Sequence, residues 1–561
     1  MKVGQSDPEK FFATAPTLKT SSTTSLPRFI TRVLPFKPNP FNFKFMASLS
    51  SIAPPIGEKI PHDVVFGAVE GQNRGLKPFQ QQRLRNDDYF WMRSDDRKDE
   101  KVLAHLRQEN AYSEQELAAT ADLKKTLYEE HLSHLKETDD RAACRDKGYF
   151  YYTRTVKGLS YKLHCRKPVT SSERIPLGTA QEEILLDENK LAEGKSHCDI
   201  KSVKCSPNHA LLAYSVDYTG DEVYELVVLN IASGEVLPDR VQKIASSLQW
   251  GDDSSLFYLT QDKQLRPYRM WRHILGSESS TDVQLFEEKD EMFWLGMGKS
   301  NSGRFMFAAS GSSETSEFWF IDLKATDANV ATMTCVQPRT FGLRYDVDHD
   351  GQEGFLISTN KDDAINNRLM SASVTAPGVE HWKEIIPYDA TRKIAGLEVF
   401  SNHVVLEGRQ NGLTQLWLMD KDAATGGVVS ESLRQVTFDE ELYETGVSTN
   451  KEYDTSIVRI HYSSLTTPTQ WLDLDMNDMS SKTLIKEQAV LNFDRSLYVC
   501  KRVFATAPDK TQIPMSIVHR KDLYDEDGTN GETKGNEGAT RTPKPTMLYG
   551  YGSYGICIDP G

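Results

Sequence analysis

The sequence predicts a mainly β protein centred on a seven-bladed β-propeller, with an α-helical arm before it and further strands after it. Two observations support this prediction. Between residues 148 and 475, short runs of aromatic and β-branched residues alternate with Asp, Gly, Asn and Ser, the residues that end strands and form tight turns. The runs recur roughly every 45–60 residues, close to the period of a four-stranded propeller blade, and form seven units.

Residues 1–60 are predicted to be a leader that takes no part in the fold. Up to residue 55 they are rich in Ser, Thr, Pro and Phe, and Asp7 and Glu9 are their only acidic residues. An acid-poor, hydroxyl-rich start is typical of organellar transit peptides, whereas the apolar core of a secretory signal is missing. The leader is therefore either a transit peptide or a disordered extension, and a start of translation at Met46 is a further alternative.

Residues 61–140 are predicted to form an arm that contains at least two amphipathic helices. Between residues 99 and 137, apolar residues recur at helical spacing. These residues are Val102, Leu103, Leu106, Leu117, Ala121, Leu123, Leu127, Leu132 and Leu135. His131 and His134 could form a metal pair with Glu129 and Glu130, but a solvated polar helix face is favoured because further ligands are absent nearby.

The propeller is predicted to span residues 141–492. Its strongest strands lie at residues 149–154, 211–217, 256–260, 305–309, 355–359, 404–409 and 457–462. Partner strands follow most of them, at residues 223–231, 268–275, 318–323, 368–374, 413–420 and 470–475. Each small sheet has two apolar faces and cannot be stable alone, and radial stacking buries both faces while leaving only short edges. This argument favours a closed ring over a stretched sandwich.

One basic cluster in this region has two interpretations. Arg266, Arg269, Arg272 and His273 lie close together in the sequence. They either line a channel and attract substrate, or they form solvated strand faces and salt bridges between blades. The structural interpretation is favoured, because charged residues on strands are usually solvated or paired.

Residues 493–561 are predicted to begin a further domain. Strands at residues 502–507 and 513–520 are joined by the turn 508–510, and the polar segment 524–544 is expected to be a flexible surface loop. The apolar residues 547–549 are then predicted to form a buried strand. It ends in Gly550, Tyr551, Gly552 and Tyr554, where glycine allows a sharp turn or a close approach and tyrosine hydroxyls can donate hydrogen bonds.

Composition excludes several classes of protein. The net charge of −14 argues against a nucleic-acid-binding surface, and no run of about 18 apolar residues exists, so no membrane span is expected. The seven cysteines are scattered without a C-x-x-C pair, which is typical of reduced thiols. We therefore expect a cytoplasmic protein, with a plastid or mitochondrion as the alternative if the leader is a transit peptide.

Several phrases of the sequence resemble the oligopeptidase B branch of the prolyl oligopeptidase family. They are L-Y-G-Y-G-S-Y-G at residues 548–555, D-Y-x-W-x-R at 88–93, E-N-x-Y at 109–112 and T-S-E-F-W at 315–319. The resemblance implies a seven-bladed propeller, an arm that packs on the peptidase domain, and the first strands of an α/β-hydrolase domain at residues 493–561. It also implies a serine peptidase that cleaves short peptides after Arg or Lys without a metal or an organic cofactor.

The same resemblance assigns one catalytic residue to this chain. Tyr551 matches the tyrosine that donates its hydroxyl to the oxyanion of the tetrahedral intermediate. The family's nucleophile sits in a G-x-S-x-G turn, which this sequence lacks, because Ser553 has Gly555 after it but Tyr551 before it. We therefore expect the chain to stop before the catalytic serine, aspartate and histidine and to be inactive by itself.

Two alternatives stay open at this point. A non-catalytic propeller could serve as a binding scaffold, since fold does not determine function. A prolyl endopeptidase, with proline before the cleaved bond, would share most of the features above. The natural peptide substrates and the oligomeric state are not predicted.

Overall fold

The structure is a computed structural model. It describes residues 53–72, 74, 79–169, 174–176, 178–325, 332–523, 545–553 and 555–561. The leader up to residue 52, the loop 524–544 and Tyr554 lie outside the described residues, so their predictions are untested. The described chain forms two compact units, one ending at His134 and the other beginning at Leu135.

The first unit contains a small sheet and two helices. Strands β1 (Asp63–Phe66) and β2 (Arg83–Asn86) pair antiparallel, and helices α1 (Glu100–Leu117) and α2 (Ala121–Ser133) follow. The Asp99 carboxylate caps α1 by accepting hydrogen bonds from the backbone N–H groups of Lys101 and Val102. The two helices confirm the prediction from apolar spacing. Val102 is nevertheless the only buried residue in either described helix, so the packing partner expected for their apolar positions stays a prediction.

The second unit is mainly β, and its described residues form six sheets before its C-terminal part. The first sheet consists of β3 (Asp139–Asp140), β4 (Cys144–Asp146), β5 (Tyr149–Thr155), β6 (Leu163–Pro168) and β7 (Glu183–Asp187), after which comes the short helix α3 (Glu188–Ala192). The second consists of β8 (Asp199–Cys205), β9 (Leu211–Asp217), β10 (Tyr224–Asn230), β11 (Val236–Asp252), β12 (Ser255–Gln261), β13 (Pro267–Ile274) and β14 (Val283–Glu287).

Four antiparallel sheets of four strands follow. The third sheet has β15 (Trp294–Lys299), β16 (Phe305–Gly311), β17 (Ser316–Asp322) and β18 (Thr334–Cys335), and the fourth has β19 (Tyr345–His349), β20 (Gly354–Thr359), β21 (Arg368–Ser373) and β22 (Lys383–Ile386). The fifth has β23 (Arg392–Val399), β24 (His403–Gln410), β25 (Leu413–Asp420) and β26 (Arg434–Gln435), and the sixth has β27 (Glu444–Val447), β28 (Ile457–Ser463), β29 (Gln470–Asp475) and β30 (Lys482–Glu487).

The number of separate blades differs from the sequence prediction. Among the described residues, five sheets have the four or five strands of a blade and one sheet has seven, so the count of seven blades is not confirmed. The difference arises at β11, which is long enough to pair with one strand along its first half and with another along its second half. Its first half pairs with β10 and its second half with β12, and Ile244 pairs with both.

Apolar side chains join each sheet to the next one along the chain. Phe305 and Phe320 of the third sheet, for example, contact Phe355 of the fourth with ring centroids 5.4 and 5.0 Å apart. The junction between the first and sixth sheets differs, since no cluster of buried apolar residues in the described chain includes members of both. Polar contacts join these two sheets, among them a hydrogen bond from Arg459 to the carbonyl oxygen of Ala143.

The strands after the propeller are confirmed in part. Strands β31 (Tyr498–Thr506) and β32 (Gln512–Arg520) form the predicted hairpin, whose turn places Lys510 in the left-handed region at φ 70°. The predicted buried strand at residues 547–549 is wrong, because Met547 and Leu548 lie outside any strand and are 88% and 90% exposed. A short apolar run forms a buried strand only where a neighbouring strand and a covering layer exist. Within the described chain, β31 and β32 pair only with each other.

Candidate functional site

The C-terminal residues 555–561 lie against the fifth and sixth sheets. The carboxylate of Asp559 forms a two-pronged ion pair with the guanidinium of Arg409 at the end of β24, and one of its contacts, Nη1 to Oδ1, measures 2.8 Å. A Cβ atom added to Gly561 would lie 2.1 Å from Oε2 of Glu444 and 2.7 Å from Oγ of Ser463. Because these residues approach so closely, glycine suits this position.

Charged groups of both signs gather around this contact. Burial lowers the pKa of Lys393, and the charges of Arg344 and Arg409 add to the effect. Burial raises the pKa of Glu444, and the charge of Asp559 raises it further. For Arg409, burial favours the neutral form, but the hydrogen bonds and charge of Asp559 outweigh it and raise the pKa. The sheet end therefore presents ionisable groups that are partly withdrawn from water.

Tyr551 lies before this contact in the sequence and outside any strand. Its side chain is 49% exposed, and no described residue accepts a hydrogen bond from its hydroxyl. The hydroxyl can therefore donate to a ligand, as an oxyanion donor must. No described histidine or carboxylate is hydrogen-bonded to Tyr551 or to Ser553, so the structure groups neither with an acid–base partner.

The two glycines beside Tyr551 have neither the turn conformation nor the close contacts that the sequence predicted for them. Gly550 and Gly552 do not adopt a positive φ, and a Cβ atom on either would meet nothing within 4 Å. The turn lies further on, where Gly555 has φ 68° and the N–H of Ile556 donates to the carbonyl oxygen of Ser553 at 3.1 Å. A structural need for glycine is thus visible at Gly555 in this stretch.

The Arg409–Asp559 pair was not predicted from the sequence. Arg409 ends a predicted strand and Asp559 stands in the glycine-rich stretch, but 150 positions separate them. Neither residue type nor spacing indicates such a long-range contact. The sequence feature that comes closest to indicating this pair is the position of Asp559, a few residues after Tyr551.

The basic cluster at residues 266–273 has mostly structural partners. Arg266 is buried, pairs with Asp262 at 2.9 Å and donates to the carbonyl oxygen of Phe293 at 2.8 Å. Arg269 pairs with Glu287 on the adjacent strand at 2.9 Å. These contacts support the structural interpretation over a substrate-attracting surface.

The described residues contain neither a metal-binding cluster nor a membrane-spanning helix. No group of three or more His, Cys, Asp or Glu side chains within the described chain is arranged to hold a metal ion, and His131 and His134 are no exception. None of the helices in that part of the chain is both long and apolar enough to cross a membrane.

The sequence matches a known family over most of its length. Residues 69–488 match the family described as "Prolyl oligopeptidase, N-terminal beta-propeller domain". The chain therefore belongs to the prolyl oligopeptidase family, and its ring of sheets is the propeller of that family.

Named relatives and solved structures are peptidases. The chain is 32% identical to dipeptidyl aminopeptidase BI of Pseudoxanthomonas mexicana, covering 92% of this chain and 67% of that protein, and 32% identical to protease 2 of Moraxella lacunata, covering 85% and 64%. It is similar to the structure of oligopeptidase B from Trypanosoma brucei with covalently bound antipain, with 41% identity, a TM-score of 0.81, and 91% and 69% of the two chains covered. For oligopeptidase B from Leishmania major, the values are 38%, 0.82, 91% and 68%.

These matches confirm the resemblance to oligopeptidase B inferred from the short phrases of the sequence. The chain spans about two thirds of the length of the relatives that it matches.

Proposed function

We propose that the complete protein is a serine-type oligopeptidase similar to oligopeptidase B, which hydrolyses short peptides after Arg or Lys. The observation that carries this proposal is the 41% identity to oligopeptidase B from Trypanosoma brucei over 91% of the chain. The short phrases shared with that branch, above all the stretch around Tyr551, support it further. The acidic net charge of −14 is compatible with basic peptides.

In this proposal Tyr551 acts during formation of the tetrahedral intermediate. A seryl hydroxyl attacks the peptide carbonyl, a histidine accepts its proton, and an aspartate orients the histidine. These three residues would come from sequence beyond Gly561. The hydroxyl of Tyr551 and one backbone N–H would donate to the oxyanion, and its exposure and lack of a described acceptor support that role. The propeller would admit only short peptides.

We also propose the domain organisation that the sequence analysis predicted. A leader would end near residue 60, the arm would span residues 61–140, the propeller 141–492, and the peptidase domain would begin at residue 493. Seven units, six of four strands and one of five, follow if β11 is counted twice, as the last strand of one unit and the first of the next. The support is its pairing with β10 through one half and with β12 through the other.

One experiment tests the activity. The transcript is sequenced beyond the codon for Gly561, and the complete protein is expressed and given fluorogenic peptides that differ only in Arg, Lys or Pro before the reporter group. We expect kcat/KM to be higher for Arg and Lys than for Pro. Faster cleavage after Pro would instead indicate a prolyl endopeptidase.

A second candidate is a binding scaffold without catalysis. The observation that favours it is the propeller itself, because fold does not determine function and one fold serves many unrelated roles. An early stop codon after Gly561, together with peptide binding but no cleavage, would support the scaffold and contradict the peptidase proposal. For the compartment, we propose the cytoplasm, and a fluorescent fusion of residues 1–60 that enters plastids or mitochondria would contradict this.

A further inference from the structure

A histidine is enclosed between two carboxylates within the second sheet. The ring of His273 on β13 is 0% exposed. Its Nδ1 lies 2.7 Å from Oδ1 of Asp282, and its Nε2 lies 3.3 Å from Oδ1 of Asp239. Both ring nitrogens thus face an acceptor-only group, and an imidazole can satisfy both only when it carries two protons.

The two carboxylates are held in place by other donors. The hydroxyl of Tyr258 on β12 donates to Oδ2 of Asp282 at 2.8 Å, and the backbone N–H of Gly276 donates to Asp239. The side chains of Asp239 and Asp282 are 5% and 1% exposed. The cluster is therefore withdrawn from water and cannot be screened by mobile ions as a surface pair is.

The three residues come from different parts of the same sheet. Asp239 lies in the half of β11 that pairs with β10, His273 lies on β13, and Asp282 directly precedes β14. The imidazole of His273 therefore links the first half of β11 to the segment before β14, on the other side of the second sheet. The titratable groups that face it are Asp239 from β11, Asp282 from the segment before β14 and, through Asp282, Tyr258 from β12.

The electrostatics favour a protonated ring. Burial by itself lowers the pKa of His273, but the hydrogen bonds and negative charges of Asp282 and Asp239 outweigh burial and raise it. Burial and the hydrogen bond to Asp282 raise the pKa of Tyr258, so this hydroxyl keeps its proton and stays a donor. Histidine is the side chain whose ordinary charge change lies closest to neutral pH, so the imidazole is the group through which pH can act on this cluster.

We propose that His273, held as an imidazolium between Asp239 and Asp282, is a pH-sensitive lock that fastens the first half of β11 to the β13–β14 side of the second sheet. Loss of its proton leaves one ring nitrogen without a hydrogen to donate, so one buried carboxylate loses its hydrogen bond and its ion pair with the ring. A raised pKa stabilises the folded form fully below the unfolded value of about 6.5, and this contribution is lost as pH rises through the folded value. The joint should therefore loosen on the alkaline side.

Hydrogen–deuterium exchange at the imidazole C2 position tests the protonation of individual histidines by mass spectrometry. In the full chain, the midpoint for His273 should lie above about 6.5, the value of an unperturbed histidine. His349 is an internal control, because it is equally buried but burial lowers its pKa. A midpoint for His273 at or below that of an unperturbed histidine would overturn the proposal.

Backbone amide exchange tests the loosening itself. After correction for intrinsic rates, protection of residues 236–244 and 273–283 should fall with rising pH more than that of the other sheets. Asp282→Asn keeps an acceptor for Tyr258 but removes one charge, so it should move this fall about 1–3 pH units lower. The matched control is Asp420→Asn, which alters the pairs that the more exposed Asp420 forms with His403 and Arg434 in the fifth sheet and should leave these segments unchanged.

Two outcomes of the amide-exchange measurement would overturn the proposal that His273 acts as a lock. One is protection in the two segments that follows pH no differently from the remaining sheets. The other is an equal effect of Asp282→Asn and Asp420→Asn on those segments. If Asp282→Asn does not fold, the wild-type comparison across pH decides by itself.

Discussion

Replacing Arg459 by methionine should weaken the junction between the first and sixth sheets. Arg459 lies on β28, and its guanidinium pairs with Asp473 on β29, with Nη2 3.1 Å from Oδ2. Its Nη1 donates to the carbonyl oxygen of Ala143, 2.5 Å away, just before β4 of the first sheet. The side chains of Arg459 and Asp473 are 9% and 5% exposed, so the variant would leave the Asp473 carboxylate buried without its cation.

The expected loss follows from that unpaired charge. Removing one partner of a buried ion pair typically costs about 3–5 kcal/mol, because the remaining charge stays out of water. Domains are stabilised by about 5–15 kcal/mol in total, so the change should be large. Urea unfolding measures the free energy, and amide exchange should show greater loss of protection in the first sheet than in the fourth.

Two further variants make the reasoning refutable. Arg459→Met combined with Asp473→Leu removes both charges and should recover most of the lost stability, since apolar replacements of buried pairs are often neutral. Arg240→Met removes an arginine from the more exposed pair with Glu225 and should cost about 0–1 kcal/mol. A double variant as unstable as the single one, or a single variant no worse than Arg240→Met, would refute the argument.

Three other predictions concern separate parts of the chain. In the complete enzyme, Tyr551→Phe should lower kcat about 10²–10³-fold with little change in KM, as expected for an oxyanion donor, whereas Tyr549→Phe should not; equal effects would make Tyr551 structural. Phe355→Ala should cost about 3–5 kcal/mol in urea unfolding, because the ring is fully buried against three other phenylalanines; a loss no larger than that of the exposed Phe341→Ala would contradict this. A chain that begins at Ile56 should melt within error of the full chain by calorimetry, and a lower Tm would show that the leader supports the fold.

Local patterns predicted the two helices and many inner strands of the sheets, whereas most edge strands were not predicted. The helices before the propeller follow from apolar spacing, and inner strands of the sheets follow from aromatic and β-branched runs bounded by turn residues. Such signals are local and survive in a single sequence. The strand β11 was missed because Pro238 and Asp239 within it resemble a turn, while its pairing depends on neighbours on both sides.

Long-range contacts account for the rest of what was missed. The run at residues 547–549 is apolar enough for a strand, but strand formation also needs a partner that sequence alone does not identify. The cluster of Arg266, Arg269 and His273 was predicted to be structural, yet the carboxylates that hold His273 could not be named. For the candidate site, the resemblance to the family is the basis for proposing Tyr551, whereas the pairing of Arg409 with Asp559 required the fold.

The shared strand β11 also bears on how the ring would come apart under mechanical force. Hydrogen bonds run without a break from β8 to β14, so tension on either half is passed through β11 to the other half. The chain from Asp199 to Glu287 should then extend in a single step of roughly 300 Å, at about 3.3–3.6 Å per residue. The next sheet, from Trp294 to Cys335, would release roughly half that length. A force-extension trace would record this continuity as one long interval among shorter ones.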